Sequence, residues 1–185
     1  MKDLLDKLSS YNLLNYLLPG VILAILVEEF TTIKLVRVDI VTGAFFYYFL
    51  GSVVSRIGSL IVEPVLLSLR FIEYSPYVDF VRASKSDSKL ELLSEQNNVY
   101  RTFVSVILTV GFVWTYEKGT LVLPLLKEAS PFLSITLLCL LYLFSYRKQS
   151  AYISERVQAC NALSVDTDLP IGSEKEKRVE GSSQS

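Results

Sequence analysis

The stretch IVTGAFFYYFLGSVVSRIGSLIV, residues 40–62, decides the reading of this chain. It is as long as the roughly twenty residues an α-helix needs to cross a hydrocarbon core, and Arg56 is its only charge. Outward from it the pattern repeats: apolar runs nearly free of charge alternate with segments crowded by Lys, Arg, Asp and Glu. Of the 185 residues 51% are hydrophobic, too many for a soluble domain of this size to bury. The expected fold is therefore all-α: a polytopic helical membrane protein with about four transmembrane helices and cytoplasmic helical extensions.

The first span reads as Leu13 to Phe30, with Pro19-Gly20 inside it as an expected kink. The second is Ile40 to Val62, followed by Glu63-Pro64, where the proline permits either a break or a bent continuation toward Ile72. The third reads as Thr102 to Tyr116, short for a span, ending before Glu117-Lys118-Gly119. The fourth is Pro131 to Tyr146, anchored by Arg147-Lys148. Thr120 to Leu126 is apolar but too short to cross alone. Met1 to Lys7 lacks the basic character of a signal peptide, so the first run reads as retained.

Basic loops stay in the cytoplasm. Lys2, Lys7, Arg70, Arg82, Lys85, Lys89, Arg101, Arg147, Lys148 and Arg156 fall on one side of the four-span scheme, against Lys34, Arg37, Lys118 and Lys127 on the other. This places both termini and the long middle loop inside, in an inner (plasma) membrane. Tyr11, Tyr16, Trp114, Tyr116, Tyr142 and Tyr146 lie near the expected boundaries, and Tyr47-Tyr48 lie deeper.

Residues 1–163 read as one helical unit, with cytoplasmic helices in 63–101 and 147–163. Leu90, Leu93, Asn97, Tyr100, Val104, Ile107, Gly111 and Trp114 form one helical stripe running from the cytoplasm into the third span, with Ser86 or Asp87 as cap. Tyr146, Ser150, Ile153, Val157 and Cys160 form a second stripe continuing the fourth. Two such faces predict that the extensions are antiparallel neighbours. Glu63 to Ala83 is too apolar for a solvated linker and predicts short helices, one starting at Ser75-Pro76. From Ser164 to Ser185 the chain is Asp, Ser, Gly, Glu and Lys with almost no large apolar residue, which predicts a disordered tail.

Within the second span, Arg56 is the residue most in need of an explanation, since an intramembrane charge is costly. Its place on the cytoplasmic half lets it either snorkel to the interface or take Glu63, seven residues on and on nearly the same face, as its partner. Gly51, Ser55, Gly58 and Ser59 are small residues spaced for close helix approach, a packing face whose partner is either in this chain or in another copy. Asn97 is a candidate register residue, where one buried amide would fix pairing, or equally an exposed amide at a helix bend in Gln96-Asn97-Asn98. Glu28-Glu29 and Asp39 read as solvated charges at the opposite interface.

The chain has no histidine, which removes His-based acid–base catalysis, His-ligated metals and His-containing triads together. No phosphate-cradling glycine loop, paired Cys-x-x-Cys or Asp-rich metal motif occurs, so no catalytic residue, cofactor site or metal site is expected. Cys139 and Cys160 fall in different kinds of segment and predict no disulfide. A net charge of −1 and the absence of a basic, aromatic-interleaved groove argue against nucleic acid.

Tyr11-Asn12-Leu13-Leu14-Asn15-Tyr16-Leu17-Leu18-Pro19-Gly20, Ser55-Arg56-Ile57-Gly58-Ser59 and the basic loop together resemble small bacterial polytopic membrane proteins. That resemblance implies no activity and no site residues. The expected function is non-enzymatic: a protein of the lipid bilayer acting as a homo-oligomer or through a cytoplasmic protein partner, with a membrane effector of bacterial defence as a specific form. The alternatives are a small oligomeric channel or transporter and a membrane-embedded enzyme without histidine.

Overall fold

The computed structural model describes residues 13–168, and all regular structure among them is helical. A π-helical turn, Leu13–Leu17, leads into α1, Leu18–Phe30. Helix α2, Ile40–Ile57, passes through a second π-helical turn, Gly58–Val62, into α3, Glu63–Ser68. The remaining helices are α4, Tyr77–Ser86; α5, Lys89–Val122; and α6, Pro124–Asp168. Three stretches are long and apolar enough to cross a membrane: Ile40–Ser68, Lys89–Val122 and Pro124–Leu163. The expected first span, Leu13 to Phe30, is helical throughout but is not among these three.

Contacts give the directions. Gly51 lies against Tyr16 and Gly20 against Tyr47, so the first segment and α2 are antiparallel. Asn15 meets Thr102 and Thr32 meets Glu117, so α1 and α5 run the same way. Ser52 meets Tyr142 and Lys148 meets Glu63, so α2 and α6 run the same way. The result is an up-down-up-down bundle whose apolar core is Leu23, Val27, Val54, Val106 and Val110. Helix α6 leans on it loosely: only 6% of its most apolar stretch is buried.

The two π turns share one cause. Each begins six residues before a proline, Pro19 or Pro64, whose ring would clash with the carbonyl four residues back. Widening the preceding turn relieves that clash, and the Glu63 N–H accordingly donates to the Gly58 carbonyl. The bend at Glu63-Pro64 is thus a continuation, not a break. The continuation ends in a Schellman turn, in which the Phe71 N–H reaches the Leu66 carbonyl at 2.9 Å and Arg70 sits at φ 54°.

Helix α5 begins at Lys89 with Ser88 as its N-cap, not Ser86 or Asp87, which end α4; Asp87 Oδ1 still accepts the Lys89 N–H at 2.9 Å. It does not stop before Glu117-Lys118-Gly119. The helix runs on to Val122, and Leu123 alone separates it from Pro124, whose missing N–H costs nothing at a helix start. The Tyr116 hydroxyl closes this tight hairpin by donating to the Leu126 carbonyl. Pro76 is the N-cap of α4, one residue before the helix it was expected to begin. Helix α6 extends past Leu163 to Asp168, so the boundary drawn at Ser164 falls inside a helix; the rest of the tail, 169–185, lies outside the described residues, as does 1–12.

The two expected stripes face away from the protein. Leu93, Asn97, Tyr100, Val104, Ile107 and Trp114 of α5 are exposed, while Thr102, Ser105, Val106 and Val110 are buried. On α6, Tyr146, Ser150, Ile153, Val157 and Cys160 are exposed, and the packed side is one residue round, at Ser145, Ala159 and Leu163. Where such a helix crosses a membrane, lipid is as apolar as leucine, so large apolar side chains gain nothing by facing inward and small or hydroxylated residues make the helix contacts; this accounts for Val104 to Trp114 of α5, not for Ser150 to Cys160 of α6. The extensions are also not simple neighbours. Helix α4 packs on α6, with Val81 and Tyr77 against Ala159 and Leu163.

Candidate functional site

At the middle of the bundle three helices are joined by buried polar groups. Thr102 of α5 is fully buried; its hydroxyl lies 2.8 Å from the Asn98 carbonyl, 3.3 Å from Asn15 Oδ1 and 3.5 Å from Ser55 Oγ. Ser105 returns its hydroxyl to the Arg101 carbonyl at 2.8 Å, which frees its outer face for contact. A Cβ on Gly58 would stand 2.6 Å from Ser105 Oγ, and one on Gly51 would fall on the Tyr16 carbonyl. Gly51 and Gly58 of the small-residue face thus stand against Tyr16 and Ser105 of the same chain.

Below this layer opens a polar chamber of about 720 Å³, lined among others by Arg56, Ser59, Glu63, Glu73, Arg101 and Lys148. Glu63 is its electrostatic centre. Arg101 Nη1 approaches Glu63 Oε2 at 2.5 Å and Lys148 Nζ approaches the same oxygen at 3.1 Å. The glutamate and arginine side chains are only 15% and 19% exposed, and buried Arg101 Nε has no acceptor, so the guanidinium depends on this one carboxylate. Lys148 also donates to the Ser59 carbonyl at 2.7 Å. In the widened turn that carbonyl would be met by residue 64, and proline has no N–H to offer. An ammonium on the last membrane helix replaces it.

Arg56 is half-buried, lines the chamber and has no ion pair among the described residues; Glu63, its expected partner, is taken by Arg101 and Lys148. Asn97 is exposed and donates to the Tyr74 hydroxyl at 3.3 Å, whereas the buried amide of the bundle is Asn15.

The Glu63–Arg101–Lys148 cluster ties the start of α3 to α5 and α6. At the opposite end Glu28 binds Lys34 and the Val36 N–H, and Glu117 accepts the Thr32 N–H at 2.8 Å. There Asp39 caps α2, and its hydrogen bonds to Thr42 hold its carboxyl below the usual aspartate range. Between the two polar layers α5 rises about 24 Å from Arg101 to Glu117, and α6 about 30 Å from Glu128 to Lys148, at 1.5 Å per residue. The α6 length equals a hydrocarbon core of about 30 Å, and that of α5 falls about 6 Å short of it.

No known protein family, curated protein or solved structure matches the chain.

The chemistry of the chamber must therefore be read from its own groups. Its two carboxylates face three cations, and the buried Ser55 hydroxyl meets another hydroxyl, not a base. Among the described residues no three His, Cys, Asp or Glu side chains cluster as metal ligands. Sequence reasoning missed Asn15, Thr102, Ser105, Arg101 and Lys148. The last two were visible only as loop and anchor charges, since nothing local says that they meet across three helices.

Proposed function

We infer that the protein is a non-enzymatic membrane protein with four spans and both ends in the cytoplasm, working by assembly through its cytoplasmic helices. The observation that carries this reading is apolar surface where no lipid reaches. Beyond the Glu63–Arg101–Lys148 layer, Leu92 and Leu93 of α5 and Ile153 and Val157 of α6 are each more than half exposed. Ile153 and Val157 are one turn apart and continue to Cys160, a stripe able to accept another helix. The favoured occupant is a second copy of the chain; a cytoplasmic protein partner is the other.

Helix Leu13–Phe30 supports the fourth span, because it lies antiparallel to α2 and shares its core with α5. A conduction path through one protomer is disfavoured, since the layer outward of the polar chamber is the apolar core of Leu23, Val54 and Val106. Reporter fusions test the topology: cytoplasmic signals are expected within Lys85 to Lys89 and external signals at Gly119. Particle mass in mild detergent tests the assembly. Wild type should exceed one protomer, and Ile153→Asp with Val157→Asp should reduce it to one; a wild type that is monomeric and purifies alone would refute the reading.

A further inference from the structure

A second cavity lies on the membrane-facing side of the bundle. It is an open cleft of about 870 Å³ between α2 with its π turn, α5 and α6. Ile57, Leu60, Leu108, Phe112, Leu141 and Phe144 represent its walls, and among the described residues its only charged lining residues are Arg147 and Lys148 at one end. Among the described residues no carboxylate lines it, in contrast to the polar chamber. Lys148 is shared with Glu63, but Arg147 is exposed and has no ion-pair partner among the described residues.

We propose that this cleft is a binding site for one anionic glycerophospholipid from the leaflet on the Glu63 side. Three observations converge on that occupant. The volume lies within the range of about 300–1,000 Å³ found for ligand sites. From Arg147 back to Ser134, the lining residue of α6 farthest from it, is about 20 Å at 1.5 Å per residue, which spans the roughly 15 Å of one leaflet and a few ångströms beyond. The charge sits where a headgroup phosphate would sit when acyl chains fill the apolar part, and a guanidinium binds phosphate oxygens in a two-pronged fashion. The weak packing of α6 on the bundle follows from the same site, because the lipid supplies the contacts that side chains leave unmade.

This inference rests on the membrane reading and is independent of self-assembly. The test is native mass spectrometry of the full chain in mild detergent, titrated with phosphatidylglycerol or phosphatidylcholine. Wild type should retain phosphatidylglycerol at least about tenfold more strongly, and Arg147→Gln should abolish the preference. Lys127→Gln, at the other end of α6, should leave it intact. Leu141→Trp, which fills the cleft, should lower retention of both lipids. Soluble glycerol phosphate should not compete, because the acyl chains hold the ligand in place. Equal retention of the two lipids, a preference that survives Arg147→Gln, or competition by glycerol phosphate would each overturn the proposal. Lipid count per protomer is read separately from protomer number, so a monomeric result would remove the assembly reading and leave this one standing.

Discussion

Removing the carboxylate of Glu63 should be the most damaging single change at the polar layer. The Glu63 and Arg101 side chains are more than four-fifths buried, and Arg101 already has one N–H unpaired, so Glu63→Ala strands a desolvated guanidinium. Breaking a fully buried pair costs about 3–5 kcal/mol, and an exposed pair about 0–1. For a pair this buried beside an aqueous chamber we expect about 2–3 kcal/mol, or about 30- to 160-fold in the folding equilibrium. Lys148 is 42% exposed, and water can replace its contacts, so Lys148→Ala should cost about 0.5–1 kcal/mol. Glu63→Leu combined with Arg101→Met should recover most of the loss, because no charge is left buried without a partner. The assay is reversible unfolding in mixed micelles with rising SDS fraction, followed by helicity, and analysed as a double-mutant cycle. A Glu63–Arg101 coupling below about 0.3 kcal/mol, or a larger loss from Lys148→Ala than from Glu63→Ala, would refute the reasoning.

Further outcomes follow from the packing. Gly20→Ala and Gly51→Ala should each disrupt the bundle, since the new methyl would overlap a backbone carbonyl of the facing segment, whereas Gly111→Ala, with nothing within 4 Å, should be neutral or stabilising by up to about 1 kcal/mol in the same micelle titration. Arg70→Gly should raise stability by about 1 kcal/mol, because it removes a left-handed conformation from a residue bearing a Cβ; no gain in thermal midpoint would show that this turn is not strained. Thr102→Val, which keeps the shape and removes the hydroxyl joining α5 to Asn15 and Ser55, should cost about 0.6–1.7 kcal/mol, and a neutral result would make the buried polar layer dispensable. Replacing Asp39 with Asn should leave stability at neutral pH little changed but remove an acid dependence. A carboxyl held below its ordinary value of 3.8 contributes stability above that value and loses it as pH falls through and below it, so wild type and variant should diverge only in that acid window of a thermal-midpoint profile.

The sequence by itself determined that the protein is helical and carries stretches long and apolar enough to cross a membrane. A helix in lipid must satisfy its own backbone, so length and apolarity alone identify Ile40 to Val62, and the prolines at 19 and 64 announce local distortion wherever the chain goes. It also exposed Gly51, Ser55 and Gly58 as a close-packing face, because small size is a local property. Which side of each long helix faces inward was not local. From Val104 to Trp114 the apolar stripe of α5 turns outward because lipid would compete with the protein interior on equal terms, and the packed face is drawn instead by Thr102 and Ser105; on α6 the stripe lies past Lys148, and the packed side is set by α4 against Ala159 and Leu163. Only the tertiary structure decided that Glu63 belongs to Arg101 and Lys148 and leaves Arg56 facing a polar chamber. Charges 38 and 85 residues apart in sequence choose one another by depth and crossing geometry, which no spacing along a single helix records.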